Sequence, residues 1–198
     1  MQNLEIATAV LVKLISSTIY DTCRWIAKII KRKLPKEGTK EYEKTAVKIV
    51  NAHIKGELGT ALIKAFQEYL KTGKPSVFDY LKKEKRERIS LVVEVSRPIT
   101  EYVEIYLNKK PDYVLSLIKE VSTEEMKYIT LVFHRLVYLI NAIHNAPEID
   151  LYISVPSTTA FLMGQIVGLS HYKITIYQFS KGKYHKIPQI KREELKIY

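Results

Sequence analysis

At 198 residues, with 46% hydrophobic and 27% charged side chains, the chain can fill a core of its own without covalent staples. One cysteine, Cys23, excludes an internal disulfide framework and a cysteine-based zinc site, which suits a reducing cytoplasm. The formal charge of +11 is lopsided, because residues 1–88 hold 19 Lys/Arg against 10 Asp/Glu and carry +9 of it. A polyanion is expected to feel that half first, although Lys enrichment is also an ordinary thermophile trait.

The first predicted element is a long amphipathic helix from Leu4 to Ile30, with Leu11, Leu14, Ile15, Ile26 and Ile29 on one face and Lys13, Arg24 and Lys28 on the other. Lys13, Asp21 and Arg24 interrupt the apolar run, so neither a signal peptide nor a membrane span is expected. The chain is read as soluble and cytoplasmic, with no membrane partner, though the basic run Lys31-Arg32-Lys33 would suit anionic lipid. Leu34-Pro35-Lys36-Glu37-Gly38 ends the helix. Thr39 caps a second helix through about His53, a third is expected over Glu57–Thr72, and a fourth over Val77–Lys83. The charge run Lys82–Arg88 then marks a boundary. Residues 1–86 are thus expected to form an all-α basic domain serving as effector, adaptor or oligomerisation module.

From residue 87 to 198 the pattern changes. Strands are expected over Ile89–Val95, Tyr113–Ile118, Asp150–Val155 and Lys173–Phe179, with a last hairpin strand, Tyr184–Ile187, across the Lys181-Gly182-Lys183 turn. Helices are expected over Pro98–Leu107, from Ser122 to about His144, and over Ser157–Val167. Ser122 and Glu125 have the spacing of a capping box, in which each side chain satisfies the other's free backbone donor. Strands alternating with helices predict an α/β fold, a Rossmann-like, mostly parallel sheet with helices on both faces.

In such sheets ligands lie beyond the carboxyl ends of the strands, which selects a few residues. Ser96 and Arg97 follow the first strand; Pro156, Ser157, Thr158 and Thr159 follow the third; Lys181 follows the fourth. Ser157, Thr158 and Thr159 fall at a helix N-terminus, where free N–H groups and the positive end of the dipole attract an anion. Pro156 presets the entry to that helix, and Ala160 and Gly164, one turn apart, are expected to let it approach the sheet closely. Arg97 is suited to a bidentate grip on phosphate. Ordinary N-capping explains the same Ser and Thr residues, and Tyr177 and Tyr184 suit base stacking or plain half-buried packing.

No nucleophile elbow, zincin helix, Walker loop or dinucleotide-binding glycine motif is present. His134 and His144 lie ten residues apart on one helix, about 80° out of alignment, and read as ordinary core or surface histidines. No catalytic residue, metal or cofactor is assigned.

The run "IDLYISVPSTTAFLMGQIVGLSHYKITIYQF", followed by "GKYHKI", resembles the C-terminal end of the SAVED domain family. The likeness rests on Leu151, Ile153 and Val155 leading to Pro156, then Ala160, Gly164-Gln165, Tyr177-Gln178-Phe179 and Tyr184, and reaches back to "ISLVVEVSRPI". SAVED domains are fused pairs of CARF-like lobes that sense cyclic oligonucleotides in prokaryotic antiviral signalling, through cyclase-based systems or type III CRISPR. The resemblance implies a receptor with Ser96, Pro156, Ser157 and Thr158 in ligand-facing loops; Arg97 and Lys181 are added for their charge and Thr159 for its place at the helix start. Only one such lobe is legible here, so a complete site is expected to need a second copy of the chain or to use the helical half in place of the first lobe, and a homo-oligomer or a partner effector protein is expected. The alternative is a nucleic-acid-binding or protein-interaction module, using Lys28, Lys31, Arg32 and Lys33 as phosphate contacts.

Overall fold

The computed structural model describes residues 21, 23–36, 39–56, 86–144, 147–168 and 171–188. The expected helices over Glu57–Thr72 and Val77–Lys83, the start of the first helix and most of the charge run lie outside these residues. Among the described residues there are six strands in one sheet and five helices.

Helix α1 covers 23–29 and α2 covers Lys40–His53. Thr39 caps α2 as expected, its hydroxyl accepting from the Tyr42 N–H at 3.2 Å, and Tyr42, Ala46, Ile49 and Val50 form the buried stripe. The expectation of an all-α N-terminal region fails at the next residues, because Ile54–Gly56 is strand β1. It pairs antiparallel with β3 (Tyr113–Ser116), Ile54 opposite Leu115. Three residues carry no periodicity, and the strand exists because Ile54 drops into the core while its backbone completes the edge of β3.

The remaining strands are β2 (Arg88–Glu94), β4 (Glu148–Ser154), β5 (Ile174–Ser180) and β6 (Lys183–Lys186). The sheet order is β1-β3-β2-β4-β5-β6. β2 pairs parallel with both β3 and β4, β4 pairs parallel with β5, and the two edge strands run antiparallel. Helix α3 (Thr100–Leu107) links β2 to β3, α4 (Thr123–His144) links β3 to β4, and α5 (Ser157–Gly168) links β4 to β5. The chain thus leaves β2 in one direction and returns past it in the other, and the point of reversal lies between β2 and β4.

The pleat sorts the two faces. Leu91, Val93, Leu115, Ile149 and Leu151 point to one face, under Ile129, Val132, Phe133 and Leu136 of α4 and the buried residues of α1 and α2. This cluster joins the described N-terminal residues to the sheet in one aliphatic core. Val92, Val114 and Tyr152 point to the other face, where Val103 of α3 covers them with Tyr184. Truncating a fully buried ring such as Phe133 would cost about 3–5 kcal/mol.

Helix starts follow the sequence. Ser122 and Glu125 form the expected capping box, with the Ser122 N–H donating to the Glu125 carboxylate at 2.7 Å and the Glu125 N–H to the Ser122 hydroxyl at 3.4 Å. Gly164 does not do what its spacing suggested: it is exposed and a Cβ there would meet open space. Met163, one residue earlier, makes the buried contact of α5.

Candidate functional site: a cleft at the carboxyl ends of β2 and β4

A cleft of about 900 Å³ opens where the chain reverses, lined by the ends of β2, β4 and β5 and by the start of α3. That volume lies at the upper end of small-molecule pockets. The junctions after β2 and β4 are tied to each other, because the N–H groups of Val95 and Ser96 both donate to the Ser154 carbonyl, at 2.8 and 3.1 Å.

Ser96 and Arg97 are exposed and line the cleft. Among the described residues Arg97 has no hydrogen bond or ion pair, so its guanidinium is available to a ligand. Ser154 and Val155 also line it, and they lead directly into Pro156. Pro156 accepts the first bond of α5, from the Ala160 N–H at 3.0 Å. Ser157 and Thr158 are exposed on the first turn, which contains no acidic residue. Among the described residues nothing pairs with the N–H groups of Ser157, Thr158 and Thr159, leaving them to solvent or an anion. Thr159 faces the other way: it is completely buried, and its hydroxyl has no partner. Lys181 is not among the cleft residues. Its φ of 52°, with 77° at Gly182, makes these two residues the centre of the β5–β6 hairpin turn, a job that requires positive φ at both positions.

The start of α3 is a different environment. Glu94 is the last residue of β2 and shares its face with Val92, which aims it at α3. Its carboxylate accepts from the N–H groups of Ile99 and Thr100 at 2.8 and 3.0 Å and from the Thr100 hydroxyl at 2.8 Å. Burial alone would raise its pKa, but these bonds and one from Ser116 outweigh it and hold the carboxyl below the usual range. A carboxylate already fills the N-terminus of α3, which leaves that helix start closed to a further anion.

The far wall of the cleft is aromatic, with Tyr102, Tyr177, Phe179 and Tyr184 all contributing. Tyr177 stacks on Tyr152 at 4.9 Å, and Tyr184 meets Tyr152 and Phe179 edge-on at 5.1 and 5.2 Å. Burial raises the Tyr184 pKa while the charge of Arg97 pulls it back, which puts the cation within electrostatic reach of this wall. Of the residues selected from the strand ends, Ser96 and Arg97 line the cleft, as do Tyr177 and Tyr184, which suited stacking or packing. Reading the strand ends missed Glu94 and Tyr102, although Tyr102 and Tyr106, four apart on α3, form a stripe that was there to see.

The basic residues expected to contact nucleic acid and the helix histidines lie outside the cleft. Lys28 donates to the Tyr128 hydroxyl at 3.1 Å and lies 4.7 Å from that ring's centre. Lys31, Arg32 and Lys33 are exposed just past α1, where positive charge complements a helix C-terminus. His144 is buried and bonded to the Tyr113 hydroxyl, as a core histidine. Among the described residues no helix is long and apolar enough to cross a membrane.

The family model described as "SMODS-associated and fused to various effectors sensor domain", SAVED, matches residues 67–190, more than half of the chain. A solved structure of an Acinetobacter baumannii Cap4 SAVED/CARF-domain containing receptor with the cyclic trinucleotide 2'3'3'-cAAA is 12% identical, with a TM-score of 0.44. The match covers 76% of this chain and 44% of that one, so the chain spans less than half of that receptor's length. No curated protein matches. By the family-model match, the chain belongs to the SAVED family.

Proposed function

We infer that the protein senses a cyclic oligonucleotide at the carboxyl ends of β2 and β4, within a prokaryotic antiviral system of the cyclase-based or type III CRISPR kind. The observation that carries this reading is the cleft at the chain reversal, lined by an unpaired Arg97 and by Ser154 and Val155, which lead into the hydroxyl-bearing, acid-free start of α5. Three adjacent parallel pairings with helices on both faces support a Rossmann-like lobe, the architecture in which such a crevice binds phosphate-bearing ligands. Family membership supports the sensor role.

One lobe provides one set of strand-end loops, so the ligand is read as bridging this cleft to a second copy of the chain or to a partner protein. Signalling then follows from differential affinity: a ligand that binds the assembled state more tightly shifts the population toward it. Residues 1–86 are proposed as the effector or assembly module. The route from cleft to helices is short. The Lys119 N–H donates to the Val95 carbonyl beside the cleft, and the Lys119 ammonium reaches the Ile29 carbonyl at the end of α1.

Thermal unfolding against cyclic di-, tri-, tetra- and hexanucleotides tests the reading. A ligand specific for the folded state adds about 2.7 kcal/mol at a hundredfold excess over Kd. One ring size is expected to raise the Tm, and Arg97→Ala is expected to abolish the rise while leaving the ligand-free Tm within about 1–2 °C. A flat response to every ring size at concentrations well above micromolar overturns it.

A further inference from the structure

We propose that Tyr102 and Phe179 form the base-stacking element of the cleft, an inference that rests on the sensor reading and names how that site would recognise its ligand. The aromatic wall has a buried part and an open part. Tyr152 and Tyr184 are 1% and 6% exposed and hold α3 to the sheet, whereas Tyr102 and Phe179 are 59% and 51% exposed. Packing accounts for the first pair and leaves the second pair facing solvent, although Phe179 has no polar group to hydrate.

The two open rings are held in place. Phe179 sits opposite Tyr184 across the β5–β6 hairpin, at a position fixed by the Lys181-Gly182 turn, and its ring meets Tyr184 edge-on. Tyr102 lies in the first turn of α3, whose start is pinned by Glu94. The ring centres of Tyr102 and Phe179 are 6.2 Å apart and their planes are tilted by 49°. They form an open wedge, in which a planar base stacks on one ring and meets the other with its edge.

The occupant is a nucleobase because of what shares the cleft with these rings. Arg97, unpaired and exposed, supplies a phosphate-binding charge, and Ser96 supplies a hydroxyl. Aromatic faces beside a cation are how proteins hold nucleotides without reading their sequence, since every base offers a π-face. Arg97 therefore grips the backbone while the wedge takes a base, giving a preference for purines, which cover more ring area, over pyrimidines.

Calorimetric titration with cyclic oligoadenylates of two to six units separates the outcomes, using native protein, Tyr102→Leu, Phe179→Leu, Tyr102→Phe and Phe179→Trp. Leucine keeps apolar bulk and removes the π-face, so each leucine variant is expected to weaken the tightest ligand by roughly 10–100-fold. Tyr102→Phe is expected to bind like the native chain. In Phe179→Trp, ligand should quench the added indole fluorescence, a signal that a merely structural role would not produce. The ligand-free Tm of each variant reports that it is folded. Native binding with unchanged affinity in both folded leucine variants overturns the stacking role alone; no binding of any ring by the native protein overturns the sensor reading and the wedge with it.

Discussion

The two ends of the central sheet use charge in opposite ways. At the amino ends of the strands, charges are spent on one another. Arg88 grips Asp150 with two bonds of 2.6 and 2.8 Å and also donates to the Tyr177 hydroxyl at 3.1 Å. Asp112 accepts from the backbone N–H and hydroxyl of Ser90 at 2.8 and 2.7 Å and from Arg86 at 3.1 Å. At the carboxyl ends, Glu94 is spent on the start of α3, but Arg97 and the first turn of α5 are left open. A sheet whose closed end is satisfied internally can leave donors unpaired at the other, and those are the groups a ligand can use.

The largest expected effect breaks the closed end. Asp112→Ala leaves the buried Ser90 N–H without its acceptor and removes one partner of Arg86 from a site that is only 15% exposed. Such a loss costs about 3 kcal/mol, or roughly 6–12 °C in Tm for a chain of this size. Ligand affinity in the folded variant should not change, because Asp112 lies at the far end from the cleft. Arg97→Ala is the mirror image, with affinity lost and stability kept. A drop of less than about 1 kcal/mol for Asp112→Ala in chemical denaturation would show that this network is dispensable.

Acid should weaken both ends, less abruptly. The carboxyls of Glu94, Glu125 and Glu148 are all held below their ordinary range. Glu125 falls to about 2, chiefly through the Lys119 ammonium and the Ser122 N–H. A depressed folded pKa means that the unfolded chain binds the proton more tightly, so the stabilisation is complete above the ordinary value near 4.5 and disappears as pH falls toward 2. The Tm is expected to be flat above about pH 6 and to decline steadily below pH 4.5. Glu125→Gln should flatten that decline more than Glu148→Gln, whose carboxyl is lowered mainly by the Thr175 hydroxyl. Equal slopes in both variants would remove Glu125 as the principal acid-sensitive group.

Much of this was legible in the sequence, and the exceptions have physical causes. The Thr39 cap, the Ser122/Glu125 box and the Lys181-Gly182 turn each satisfy their own backbone within a few residues, so local spacing revealed them. The β-branched runs gave β2 and β4 to within about a residue at each terminus for β2 and two for β4. Strand β1 stayed hidden because a three-residue edge strand is fixed by its neighbour, not by its own pattern. Glu94 stayed hidden because it reads as the end of a strand, and only the return of α3 over that face turns it into a cap. The strand-end rule selected Arg97, which lines the cleft, together with Thr159 and Lys181, one facing inward and the other committed to a turn.

Thr159 yields the smallest and most discriminating test. Its hydroxyl is fully buried without a partner, so folding strips it of water and returns nothing. Thr159→Val exchanges that hydroxyl for a methyl of similar size on an equally β-branched side chain, and should raise stability by up to about 1 kcal/mol. Affinity for the ligand should stay native, whereas Ser157→Val with Thr158→Val, one turn of helix on the exposed side, should lower it without disturbing the fold. A fall in Tm for Thr159→Val would mean that its hydroxyl does have a partner in solution. A loss of affinity at unchanged Tm would mean that the start of α5 turns over when ligand binds, and that the open end of the sheet rearranges instead of standing ready.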